Sequence, residues 1–334
     1  MKGPATVGQE RRVSRRAREG SDFARGYPIA VVSAIILSTT AIFIRYLTQT
    51  YKMPALVLAF WRDAFVALTM LIALAILRPR LLHTGRGHFS YFVAYGLMLT
   101  MFNSFWTLSV SLNGAAVSTV LVYSSAAFTA LLGKWLLKER LGWVKLVTIA
   151  GCLAGCILIS GVLEPGAWQA NLTGILTGTL SGLWYAGYSL MGRSAAQRGL
   201  NPWTTLFYTF SFAACFLLAV NVSLGRFLPG AAARPVDLLW LGKAGQGWFV
   251  LFLLAAGPTV AGFGLYNVSL GYLPSSVANL VLTLEPTFTA AIAYFVLRER
   301  LNGIQVAGSL LILGSVVFLR VSESRNSIQL SETQ

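Results

Sequence analysis

Hydrophobic positions in this chain come in long runs separated by short polar stretches. Ten runs stand out, at residues 28–46, 54–77, 89–112, 114–137, 142–163, 170–192, 202–222, 246–270, 274–297 and 302–320. Each has the length, about 20 residues, at which a helix crosses a hydrocarbon core of about 30 Å. Apolar and polar residues do not alternate within the runs, which excludes barrel strands, and lipid then leaves the helix as the way to satisfy the backbone. The expected fold is all-α and integral to the membrane, with ten transmembrane helices. Most connections are a few residues long. The longest, 223–245, has room for a loop or a short surface helix but for no catalytic domain.

Composition sharpens this picture. Of 334 residues, 56% are hydrophobic and 11% charged, against about a quarter charged in soluble domains. The net charge of +15 would suggest nucleic acid in a soluble protein. Here the basic residues sit at the ends of apolar runs, so they report topology and contact with lipid headgroups. The expected partners are the bilayer and a small-molecule substrate, with no nucleic acid and nothing that asks for more than a monomer. With the N-terminus inside, about 18 basic residues fall on the cytoplasmic side and about seven outside. Both termini are therefore expected in the cytoplasm, residues 1–27 as a disordered basic tail ahead of an uncleaved first helix and 321–334 as a short second tail. Cys152, Cys156 and Cys215 lie inside apolar runs, and His83 and His88 flank a loop. No metal site, cofactor or catalytic residue is expected from such a set.

The chain repeats itself. Trp106–Leu141 aligns without a gap on Tyr266–Leu301 at an offset of 160. Phe128-Thr129-Ala130 matches Phe288-Thr289-Ala290, and Lys138-Glu139-Arg140-Leu141 matches Arg298-Glu299-Arg300-Leu301. The fourth and ninth runs correspond. They lie five spans apart, an odd number, so they cross the membrane in opposite directions. The expectation is two inverted five-helix repeats, 28–163 and 164–320, enclosing a midplane site served by alternating access.

Two five-helix halves, each ending in a span followed by Glu-Arg-Leu, resemble the EamA family of the drug/metabolite transporter superfamily. Leu284-Glu285-Pro286 followed by Arg298-Glu299-Arg300-Leu301 is similar to that family's second-repeat signature, and Arg62, after Pro54, resembles its second-helix arginine. The resemblance covers about 28–320. It implies export of amino acids or other metabolites across a bacterial inner membrane. Solved relatives of the YddG type, which export aromatic amino acids, imply a cavity lined by spans 1, 3, 4, 6, 8 and 9. Ala126 stands where the pattern often has proline, so the fourth span is expected to be straighter than the ninth.

Candidate site residues follow from helical spacing. On the third span, Tyr91, Tyr95, Phe102, Trp106, Ser109 and Asn113 share an arc with Asn103 beside it. This is either a cavity wall or a packing face with interfacial anchors, and the wall is the expectation. On the sixth, Gly174, Gly178 and Gly182 form a close-packing ladder, with Trp184 and Tyr188 opposite it. The eighth carries Pro258, Phe263, Tyr266 and Asn267, and the ninth carries Asn279, Thr283 and Thr287. The fourth offers Tyr123, Ser124 and Ser125. Expected substrate contacts are Tyr95, Asn103, Trp106, Tyr123, Trp184, Tyr188, Phe263, Tyr266, Asn267, Asn279 and Thr283. Arg62, Asp63 and Glu285 are ionisable groups inside spans, each expected to find a structural partner elsewhere or to serve substrate or proton. A central carboxylate costs roughly 2.5–3.5 kcal/mol unless paired or protonated. Glu139 and Glu299, at helix ends, are expected to pair with nearby arginines. The overall expectation is a secondary exporter of small metabolites, with amino acids first and lipophilic-cation efflux second. A lipid-modifying membrane enzyme is disfavoured by the lack of intramembrane histidine or clustered aspartate.

Overall fold

The computed structural model describes residues 4–159, 172–297 and 302–332. Every regular element among them is helical. The helices are α1 (Pro4–Ser38), α2 (Thr40–Thr50), α3 (Ala55–Leu77), α4 (Phe89–Tyr123), α5 (Ser125–Leu136), α6 (Trp143–Ile159) and α7 (Leu172–Gln197). The remainder are α8 (Pro202–Leu224), α9 (Gly245–Leu254), α10 (Val260–Tyr272), α11 (Ser275–Leu282), α12 (Glu285–Leu297) and α13 (Gly303–Glu332). Residues 4–27, expected to be disordered, are helical as part of α1. Arginine, alanine and glutamate, which recur there, are good helix formers.

The helices fall into the ten expected spans once their breaks are recognised. The segment α4 is not one straight rod. Ser109 Oγ lies 2.9 Å from Ser118 Oγ, whereas nine residues of straight helix advance about 13.5 Å. Ser109 and Leu121 also both border Gly178. The chain therefore doubles back between them, ending the third span and starting the fourth. The fourth span continues through Ser124 into α5, and the ninth is α11 and α12 separated at Thr283-Leu284. Positions 124 and 284 are 160 apart, so both copies break at one place. Both spans are broken, the fourth at Ser124 alone and the ninth over Thr283-Leu284. At the break in the fourth span the Ser124 hydroxyl donates to Leu121 O, a local bond that competes with the helix without any proline.

Prolines account for other features. Pro54 and Pro274 stand just before α3 and α11, and Pro202 opens α8 behind Asn201, whose side chain accepts from Trp203 N and Thr204 N. Inside the eighth span Pro258 cannot donate to Leu254 O. The chain widens into a π-turn over Ala255–Thr259, and Thr259 Oγ1 donates to that carbonyl at 2.8 Å.

Packing follows the repeat. The helix pairs α4 with α7, α1 with α10, α3 with α8, α6 with α13 and α5 with α11 are in contact. Replacing each span by the one five along turns the first pair into the second and the last three into themselves. Among the described residues five stretches are long and apolar enough to cross a bilayer: Ser21–Thr50, Ala55–Leu77, Pro202–Leu224, Gly245–Tyr272 and Gly303–Ser322. Their outward faces expose large apolar side chains such as Leu68, Ile72, Ile76, Val222 and Leu310, as a lipid-facing surface should. The long 223–245 connection contains a short 3₁₀ helix, Pro235–Leu239, and its Gly230 accepts a 2.7 Å hydrogen bond from Leu56 N.

Candidate functional site

The interior divides into two ends. At the end where α2 meets α3 lies a cavity of about 400 Å³, within the range of small-molecule sites. Its lining is largely apolar, with Ile44 and Thr48 from α2, Leu58, Ala59 and Arg62 from α3, and Trp106 and Thr107 from α4. Arg62 lies seven residues into α3, about 10 Å along it, and is the deepest of that helix's lining residues. It is 6% exposed. Its Nε donates to Asp63 Oδ1 at 3.2 Å. Asp63 is fully buried, and its Oδ2 accepts from Asn103 Nδ2 at 2.9 Å. The two charges, expected to need partners elsewhere, therefore pair with each other. Adjacent residues on a helix do not share a face, but the long arginine side chain reaches back to its neighbour's carboxylate.

The opposite end is packed shut. Tyr95 and Tyr188, with ring centroids 4.8 Å apart, both donate to Asn267 Oδ1, at 3.5 and 3.4 Å. Tyr266 donates to Ser189 Oγ at 2.7 Å, and Asn279 joins Ser189 to Ser125 across the halves at 3.2 Å on each side. Phe263 closes edge-on against Tyr188 and Phe210. All these side chains are buried except for traces of surface on Asn267 and Phe263.

Nearest the loops at this end stands a charged clasp. Glu139 Oε1 accepts from Ser275 N at 2.7 Å and Ser275 Oγ at 2.6 Å, and Oε2 from Ser276 N at 3.2 Å and Ser276 Oγ at 2.6 Å. Lys145 Nζ donates to Ser276 Oγ at 3.0 Å. Glu139 thus caps the N-terminus of α11, where the helix dipole favours a negative charge, rather than pairing with a neighbouring arginine. Local geometry aims it there. Lys138 takes a left-handed φ of 54°, and Gly133 leaves room for the carboxylate, since a Cβ on it would lie 3.0 Å from Glu139 Oε2. Arg193 caps the C-terminal carbonyls of α10, donating to Leu270 O at 2.8 Å and Gly271 O at 3.1 Å.

The expected site residues therefore separate. Trp106 lines the cavity, and Asn103 supports Asp63 behind it. Tyr95, Tyr188, Phe263, Tyr266, Asn267 and Asn279 meet one another in the sealed end. Thr283, fully buried, donates to Leu280 O at 2.6 Å. Trp184 is half-buried and belongs to neither group. Tyr123 faces Glu285 across the broken spans. Glu299 lies outside the described residues. The glycine ladder packs as expected, with Gly178 against Leu121 and Ser109 and Gly182 against Ser124. Tyr185, Ser189, Lys145 and the Ser275-Ser276 pair were not singled out from the sequence. Of these, Pro274-Ser275-Ser276 carries a helix-start signal that could have pointed to a cap.

The sequence pattern described as "EamA-like transporter family" matches twice, at residues 24–161 and 172–321. A protein of Archaeoglobus fulgidus named "Uncharacterized transporter" is 26% identical over 87% of this chain and 95% of its own. An Escherichia coli protein named "Probable amino-acid metabolite efflux pump" is 28% identical over 79% of this chain and 84% of its own. A chain in a solved crystal structure superposes with a TM-score of 0.72 at 16% identity, over 90% of this chain and 98% of that one, a likeness of fold.

Proposed function

This chain belongs to the EamA-like transporter family, and we propose that it exports small metabolites, amino acids first among them, by alternating access. It is a membrane transporter and not an enzyme. The observation that carries the export reading is the contrast between a cavity at one end and a sealed network at the other, in a bundle whose two halves correspond. Such a bundle has a second state in which the ends exchange roles. The basic-residue bias places both termini in the cytoplasm. The cavity then opens to the outside, and the Glu139 clasp closes the cytoplasmic side. The membrane in this reading is a bacterial inner membrane, in keeping with the export function named for the Escherichia coli relative.

A flux panel in proteoliposomes tests the substrate class, using amino acids, nucleobases, sugars and lipophilic cations, each with and without a pH gradient. Saturable, selective amino-acid flux is the expected result. Flux of cations alone would replace this reading with multidrug efflux. Among the described residues no acid lines the cavity, so a cation would find no counter-charge there.

A further inference from the structure

We propose that Arg62 is an anion subsite that takes the carboxylate of a small monocarboxylate with an apolar tail. The proposal rests on the transport reading above for its location and goes beyond it in naming the recognised group.

A guanidinium has five N–H donors and no acceptor. Asp63 takes the Nε–H. Among the described residues nothing accepts from the two terminal nitrogens, although the side chain is nine-tenths buried. Buried cationic donors left without an acceptor are expensive, so these must meet water or a ligand in the cavity that Arg62 lines. The terminal pair of a guanidinium held at Nε presents two parallel N–H groups, the geometry that receives a carboxylate in bidentate fashion. Asp63 does not take that position: its oxygens accept from Arg62 Nε and Asn103 Nδ2, and no bond joins it to the terminal nitrogens. Asn103, on the far side of Asp63, holds the carboxylate that in turn holds the arginine. Asp63 and Asn103 are therefore positioning residues, and Arg62 is the contact.

The rest of the lining fits the other half of such a ligand. Ile44, Met53, Leu58, Ala59 and Trp106 present an apolar wall to the same cavity. Among the described residues no second cation lines it, so a monoanion suits it better than a phosphate dianion. Among the described residues no acid lines it either, so an α-ammonium group gains little, and an amino acid and its deaminated analogue should bind with similar strength.

The test uses the full-length protein purified in detergent and three probes of one shape: leucine, its deaminated analogue 4-methylpentanoate, and leucine amide. Equilibrium binding should show both acids binding about 10- to 100-fold more tightly than the amide, the range expected for a charge-assisted hydrogen-bond pair. The variants R62Q and R62K should abolish and reduce that preference, respectively. Since R62Q leaves Asp63 buried without its cation, the double variant R62Q/D63N is measured beside it. The wild-type comparison of acid with amide decides the matter without any variant. Equal binding of acid and amide, binding of neither acid, or a preference that survives R62Q/D63N would overturn the proposal. Failure of amino-acid flux with the acid preference intact would strike the transport reading and leave the subsite. Flux inhibited equally by acid and amide would strike the subsite alone.

Discussion

At the sealed end α7 packs on α10 and α11, the sixth span against the eighth and ninth. The two-fold counterpart would be the first span against the third and fourth. No comparable packing joins α1 or α2 to α4 or α5 among the described residues, and the cavity lies in that gap, between Ile44 and Thr48 on one side and Trp106 and Thr107 on the other. Two halves with one architecture thus differ in one set of contacts. The difference is chemical as well as geometric. The sealed end is held by tyrosines, asparagines, serines and one carboxylate that hydrogen-bond to one another, with Asn267 Nδ2 buried without a partner. The open end holds an arginine with unmet donors. In the proposed alternating access, exchanging which set is closed exposes the interior to the other side, and the hydrogen bonds of the clasp oppose that exchange.

The largest expected effect comes from breaking the clasp. Glu139→Ala removes the acceptor of four hydrogen bonds, and should weaken the sealed end by about 2–4 kcal/mol. Thiol labelling of a cysteine introduced at Ala195, which is buried one turn from Gly192, in a background without the native cysteines, should accelerate at least about tenfold. Unchanged labelling would show that Glu139 does not hold this end. Gly192→Val acts from within, since a Cβ there would fall 2.5 Å from Leu270 Cδ1 and 2.7 Å from the Tyr95 hydroxyl. Overpacking of this kind costs about 1–3 kcal/mol and should speed labelling less than Glu139→Ala.

Separating the two ends kinetically sharpens the contrast. Trp106→Ala should raise KM about tenfold, the order of one large apolar contact. Asn267→Ala, at the sealed end, should leave KM within about twofold and change turnover instead. Equal effects on KM would merge the two ends into one site. The smallest effect is expected at Trp184, half-buried and in neither group. Trp184→Ala should change melting by no more than about 0.5 kcal/mol and leave flux alone.

Much of this was legible in the sequence, for reasons that can be named. Run length gave the spans because the bilayer fixes it. The 160-residue offset gave the halves because two copies keep matching residues at matching positions, whereas the shared breaks at Ser124 and at Thr283-Leu284 came from the structure alone. Glycines at 178 and 182 pointed to close helix approach because little else fits there. The aromatic stripe was less legible. Tyr95, Phe102 and Trp106 share one helical arc, yet Tyr95 closes one end, Phe102 stacks on Tyr185 with centroids 4.7 Å apart, and Trp106 lines the cavity. A helix face runs through the whole membrane, and spacing along it does not say at which depth the bundle is open. Arg62 and Asp63 were misjudged for a related reason: face arithmetic places Cβ atoms, not the end of a four-torsion side chain.

The sequence by itself determined what local forces and the bilayer dictate: helices of spanning length, where they start, and that two related halves run oppositely. The tertiary structure decided which end is shut, that Glu139 reaches α11 rather than an arginine, and that Asp63 takes only one of the donors of Arg62. Those outcomes depend on contacts between residues far apart in the chain, such as positions 139 and 275, and no periodicity within a single helix carries that information.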